Sequence, residues 1–127
     1  MTVYTQSEED YLEAFYVIGL KNDVVRVKDV SNLLDVTMPS VVSAVRSLSQ
    51  KGLVNQEKYG YIELTQKGEE VAKTIYARHQ LLYTFFHEIL DLDEEEAQDN
   101  ACRVEHHLST QALDGIKRLV ESTASRS

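Results

Sequence analysis

The segment CRVEHHLS, residues 102–109, holds the only cysteine of the chain and two of its four histidines. On a helix, residues at i, i+3 and i+4 share one face, and Cys102, Glu105 and His106 have that spacing. A thiolate, a carboxylate and an imidazole can each give a lone pair to a transition metal. A buried cysteine beside a surface Glu and His would explain the same three residues without a metal, so the rest of the chain has to supply further donors. Asp10 and Glu13 repeat the i, i+3 device near the N-terminus, and His79 lies among apolar neighbours in a long periodic segment. Taken singly, these are a solvated acidic face and a satisfied core histidine. Taken together, Asp10, Glu13, His79, Cys102, Glu105 and His106 are six donors on three separate helices. His107 points about 100° round the helix from His106 and is read as a surface or supporting residue, not a ligand.

The elements that must position these donors follow from periodicity. Ser7 and the acids after it open a first helix through EEDYLEAFYVIGL, with Leu12, Phe15 and Tyr16 in its apolar stripe. KNDV is a turn. VKDVSNLL is a second helix, broken at DVTM. Thr37 caps a third helix over 38–51, Pro39 sits harmlessly in its first turn, and Gly52 ends it. Val41, Val42, Val45 and Leu48 are its expected buried face. The period then changes. LVNQEKYGYIEL has two short runs about Tyr59-Gly60 and predicts a hairpin. Thr65 caps a long fourth helix that carries His79. Asp93 with Glu96 opens a fifth through EEEAQDNACRVEHHL, and STQALDGIKRLVES is a sixth, with Leu113, Ile116, Leu119 and Val120 in phase.

Helix, helix, turn, helix, hairpin is the order of a winged helix-turn-helix, whose second helix of the pair enters the major groove. The expected fold is mainly α: a winged helix-turn-helix DNA-binding domain over residues 1–72, then a helical domain over 73–127. Small polar residues and one arginine mark the outward face of the third helix. The expected DNA contacts are Thr37, Pro39, Ser40, Ser43 and Arg46, with Lys58 and Tyr59 from the wing. A plain helical corner would show the same helix pair, but not the hairpin directly behind it.

Bulk charge speaks against this at first. The 127 residues hold 13 basic and 21 acidic side chains, a net charge of −8, and nucleic acid favours basic partners. The excess is uneven, however. Residues 79–127 hold four Lys/Arg and ten Asp/Glu, whereas within 37–60 the only charges are Arg46, Lys51, Glu57 and Lys58, a net of +2. The acidic half suits cations and the 37–60 stretch suits phosphate. No apolar run reaches the roughly 20 residues that span a bilayer, the N-terminus is polar and acidic, and a lone cysteine makes no intrachain disulfide. A cytoplasmic protein without membrane contact is expected.

In its motifs the chain resembles the diphtheria-toxin-repressor family, and most of all its short manganese-transport-regulator branch. SEEDYLEAFY resembles the family's opening helix and MPSVVSAVRSLSQKGLV its recognition helix. YGYIELTQKGEEVAKTIYARHQLL resembles its wing and long helix, and ACRVEHHLS its metal-binding and dimerisation segment. The resemblance implies a homodimeric repressor that binds operator DNA when loaded with Fe2+ or Mn2+, with helices five and six forming the dimer. It also implies one or two ions per subunit and control of metal-uptake genes. All six donors match ligand positions of that family. The chain is a hybrid: Asp10 follows the manganese branch, where iron-sensing members carry Met, and Cys102 follows the iron branch, where manganese-sensing members carry Glu. Where the iron branch builds an ancillary site from Glu and His, this chain has Tyr83 and Gln98. A thiolate is a soft donor, which shifts preference from Mn2+ toward Fe2+, and toward Co2+, Ni2+ or Zn2+ in vitro.

Two other functions compete. One is a winged-helix regulator that does not sense metal. The other is a hydrolase using Cys102 and His106, but the chain has no evident orienting group, glycine-rich oxyanion loop or HExxH motif. No enzymatic activity is expected.

Overall fold

A computed structural model describes residues 4–56 and 60–125. The chain divides into two compact units, Tyr4–Thr74 and Ile75–Ser127, and the division falls within one helix.

The first unit holds α1 (Gln6–Lys21), α2 (Val27–Leu34), α3 (Met38–Gln50), and a hairpin of β1 (Val54–Gln56) and β2 (Ile62–Leu64). It also holds the first half of α4 (Gln66–Thr84). Thr5, not Ser7, caps α1: its hydroxyl accepts from the Glu8 N–H at 3.1 Å, and the Glu8 carboxylate accepts from the Thr5 N–H at 2.9 Å. The reciprocal box needs Glu three residues after the cap, and only Thr5 has it. α2 ends at Asp35, whose φ of 56° is left-handed. Thr37 caps α3, accepting from the Ser40 N–H at 3.2 Å, with Pro39 in the first turn.

At the far end of α3, Gly52 takes φ 77° and the Leu53 N–H reaches back to the Leu48 carbonyl at 3.0 Å. This closes the helix as the sequence predicts. β1 and β2 pair antiparallel, with Asn55 opposite Glu63, and Val25 bridges the other side of Ile62. The hairpin tip, with Lys58 and Tyr59, lies outside the described residues. Thr65 caps α4 through the Gly68 N–H at 3.0 Å. Gly68 is there of necessity, because a Cβ would stand 1.9 Å from the Leu53 carbonyl oxygen. Leu12, Phe15, Val30, Val41, Val45, Leu48, Leu53, Val54 and Ile62 form the buried core. Burial of this order drives folding at ~25 cal/mol per Å2 of apolar surface. Val42 departs from the expected buried face of α3: it is 36% exposed.

The second unit holds the rest of α4, α5 (Glu94–Val104) and α6 (Thr110–Ser125). α4 passes into a wider helical turn over Phe85–Ile89, where the Leu90 N–H bonds to the Phe85 carbonyl at 3.1 Å. Asp91, at φ 62°, then turns the chain. Asp93 caps α5, accepting from the Glu96 N–H at 2.8 Å. α5 ends at Val104, four residues before the periodicity suggested. Ser109 then accepts from the Ala112 N–H at 3.1 Å and starts α6. No helix among the described residues is long and apolar enough to cross a membrane.

Candidate metal centre and nucleic-acid interface

In the second unit, α4 carries His79 on its buried side, between Ile75 and Leu82 at i−4 and i+3. α5 carries Cys102 in its last turn, and Glu105 follows as the residue that closes the helix. Ala97 and Ala101 are buried beneath this face of α5, and their small side chains allow close approach. One ligand atom from each of His79, Cys102 and Glu105 lies within 4.8 Å of the others. Donor atoms around a tetrahedral ion at about 2.0–2.3 Å stand roughly 3.3–3.8 Å apart, so the trio would draw in around a shared cation.

His79 Nδ1 lies 3.0 Å from Glu105 Oε1, with 7% of His79 and 2% of Glu105 exposed. The Cys102 side chain, the Glu105 carboxylate and the Gln98 side chain all hold the His79 imidazolium well above the usual histidine range, against the effect of burial. Without metal, a proton on His79 thus supplies the positive charge that the buried carboxylate requires. It does so incompletely. Glu105 Oε2 is buried with no hydrogen-bond partner, and a buried carboxylate oxygen left unmatched is costly. A divalent cation among these three side chains would match it. The donor set of nitrogen, sulfur and oxygen fits Fe2+, Co2+ or Zn2+ on softness, and Mn2+ through the carboxylate and imidazole.

The other three predicted donors are placed as follows. His106 is half-buried in the turn after α5 and lies outside the convergent trio. The reason is the early end of α5: residues 105–107 follow a tighter path, with the His107 N–H bonded to the Val104 carbonyl at 3.0 Å. The face-sharing rule for a continuous helix no longer applies there. Asp10 and Glu13 belong to the first unit, half-buried on one face of α1. His107 is exposed. Gln98 is named above only as a departure from an ancillary metal site, yet its side chain helps to raise the His79 imidazole. Its i, i+4 spacing to Cys102 is the sequence signal that could have found it.

In the first unit, Thr37, Pro39, Ser40, Ser43 and Arg46 are all exposed on α3, as expected. Thr37 and Ser40 are joined to each other, hydroxyl to hydroxyl at 2.8 Å. Lys51, one of the cations of the 37–60 stretch, is paired with Glu8 and lies 5.9 Å from the Tyr4 ring centroid. Arg46 is the exposed cation of α3 itself.

Two family models cover almost the whole chain. "Iron dependent repressor, N-terminal DNA binding domain" matches residues 3–62, and "Iron dependent repressor, metal binding and dimerisation domain" matches residues 65–125. An HTH-type transcriptional regulator of Methanocaldococcus jannaschii is 38% identical over 118 residues, 92% of this chain and 94% of that protein. The HTH-type transcriptional regulator MntR of Bacillus subtilis is 36% identical over 117 residues, 92% of this chain and 82% of that one. Among solved structures, a manganese-dependent transcriptional repressor in complex with manganese superposes with a TM-score of 0.83 at 27% identity. The match covers 90% of this chain and 52% of that one. The chain spans about half the length of the first solved structures it matches. These matches set aside a winged-helix regulator that does not sense metal: the chain belongs to the iron-dependent repressor family of metal-dependent transcriptional regulators.

Proposed function

We propose that this chain represses transcription by binding operator DNA as a homodimer when loaded with Fe2+ or Mn2+, and so controls genes of metal uptake. The observation that carries the metal half is the His79–Cys102–Glu105 cluster with its unmatched buried Glu105 oxygen. The ligand set is Asp10, Glu13, His79, Cys102, Glu105 and His106, the last three held by α5 and the turn after it. The DNA-binding domain is residues 1–72 and the metal-binding and dimerisation domain residues 73–127. DNA is met by Thr37, Pro39, Ser40, Ser43 and Arg46 of α3 and by Lys58 and Tyr59 of the wing, in the cytoplasm.

A bound divalent cation supplies charge neutralisation, replacing the proton on His79 and offsetting the carboxylates. The chain's own residues do the rest. Asp10 and Glu13 sit on α1, in the unit that carries α3. The coupling is limited by how much better the DNA-competent form binds metal than the other form does. The dimer forms through α5 and α6. Leu113, Ile116 and Val120 are half-buried and Leu119 is 47% exposed in the single chain, an apolar face that a partner helix would cover.

An anaerobic titration of Mn2+, Fe2+, Co2+ and Zn2+ against the protein and a randomised duplex pool tests this reading. Retention of duplex is expected only with metal, at one or two ions per subunit, with a thiolate-to-metal band in the near ultraviolet on Co2+ loading. DNA binding indifferent to metal, or a monomer by light scattering at micromolar concentration, would count against it.

A further inference from the structure

α3 exposes two large apolar side chains that its own packing does not use. Met38 is 48% and Val42 36% exposed, whereas Val41, Val45 and Leu48 complete the buried stripe. Residues 38, 42 and 46 are successive i+4 neighbours and so form one ridge along the helix. That ridge begins with two apolar side chains in the first turn and a half and ends on the exposed Arg46. The parallel ridge through Pro39, Ser43 and Ser47 is small and mostly polar. The N-terminal turns of a recognition helix are the ones that reach base edges.

Exposed apolar side chains in those turns gain nothing from phosphate or from the hydrogen-bonding edges of the bases. The one apolar group that the major groove presents is the C5 methyl of thymine. We propose that Met38 and Val42 read thymine methyl groups and thereby set part of the operator sequence preference, with Arg46 continuing the same ridge onto guanine or phosphate. The inference deepens the DNA-binding reading above and rests on it.

The test uses the full chain loaded with Mn2+. Duplexes are selected from a randomised pool, and the best is resynthesised with deoxyuridine in place of thymidine, which removes only the methyl groups. The wild type is expected to lose about fourfold in affinity per contacted methyl, from the ~0.8 kcal/mol of a buried methylene-sized group. The double variant Met38→Gln, Val42→Ser is expected to bind the two duplexes alike, with metal stoichiometry and helical circular dichroism unchanged. If that variant does not fold, Val42→Thr keeps the branched shape and is expected to reduce the penalty at a single thymine. Indifference of the wild type to deoxyuridine overturns the proposal, and so does an undiminished penalty in a folded, metal-loaded variant. Selection of no duplex in the presence of metal overturns the DNA-binding reading itself, and this inference with it.

Discussion

Thr37 and Ser40 lie in solvent and are joined across three residues, whereas His79 and Glu105 are buried and joined across 26. The contrast follows from what each region does. A recognition helix has only to present side chains, and its frame is closed by local devices: a Thr cap, a proline in the first turn, a glycine at the end. A metal centre has to bring charged groups out of water. The cost of burying Glu105 is met only when a proton on His79, or a cation, stands against it. Polar groups on α3 can therefore be exchanged at modest cost, while those between α4 and α5 cannot.

The largest expected effect comes from the buried pair. Glu105→Gln keeps the shape of the side chain but removes the charge opposite His79. Metal affinity should fall by about 100-fold or more, since changes even to groups that only support a ligand cost 10–100-fold; calorimetric titration measures it. If the loss is no more than a few-fold, the cluster is structural. The two forms of the site should also respond to pH with opposite sign. His79 is raised above its ordinary value. Its contribution to metal-free stability is therefore fully present below the unfolded imidazole pKa and is lost as pH rises through the folded one. Metal uptake runs the other way, because the imidazole must shed its proton before it can ligate. Denaturation of the metal-free protein and metal titration, each at several pH values, should show these opposing slopes.

A smaller effect is expected at the seam between β1 and α4. Gly68→Ala forces a methyl group toward backbone, against the Leu53 carbonyl. It should destabilise the chain by about 2–3 kcal/mol in urea denaturation. This sharpens the contrast, since Gly68 lies in the same compact unit as α3 yet depends on backbone outside its own helix. If it tolerates alanine as well as an exposed site does, that seam is looser than the geometry indicates. The smallest effect belongs to the cap of α3. Thr37→Ala should cost about 1 kcal/mol of thermal stability and leave metal affinity unchanged. An effect as large as that of Gly68→Ala would mean that the recognition helix is not the locally closed element described above.

The legibility of the chain divides along the same line. The bounds of α2 and the caps of α3, α4 and α5 were readable, because each is decided by side chains within a few residues of the backbone groups they satisfy. The choice of Thr5 over Ser7 was readable too, had the position of Glu8 been weighed. The exposure of Val42 was not. Hydrophobicity marked it as a core residue, and only the packing of α3 against its neighbours showed that Val41, Val45 and Leu48 already fill the face. Likewise, only packing shows that Glu9 of α1 is buried, at 4% exposure.

By itself, the sequence determined the element order, the presence of a helix-turn-helix with a hairpin behind it, and the residue types from which a metal centre could be made. Those depend on local geometry and on chemistry that travels with the side chain. The tertiary structure alone decided which donors meet. It ended α5 at Val104 and left His106 in a turn outside the cluster. It also set His79 against Glu105 and Cys102, and left one carboxylate oxygen buried and unmatched. Convergence of this kind depends on how two helices lie against each other, which is fixed by the sum of their buried contacts and by no short segment of either.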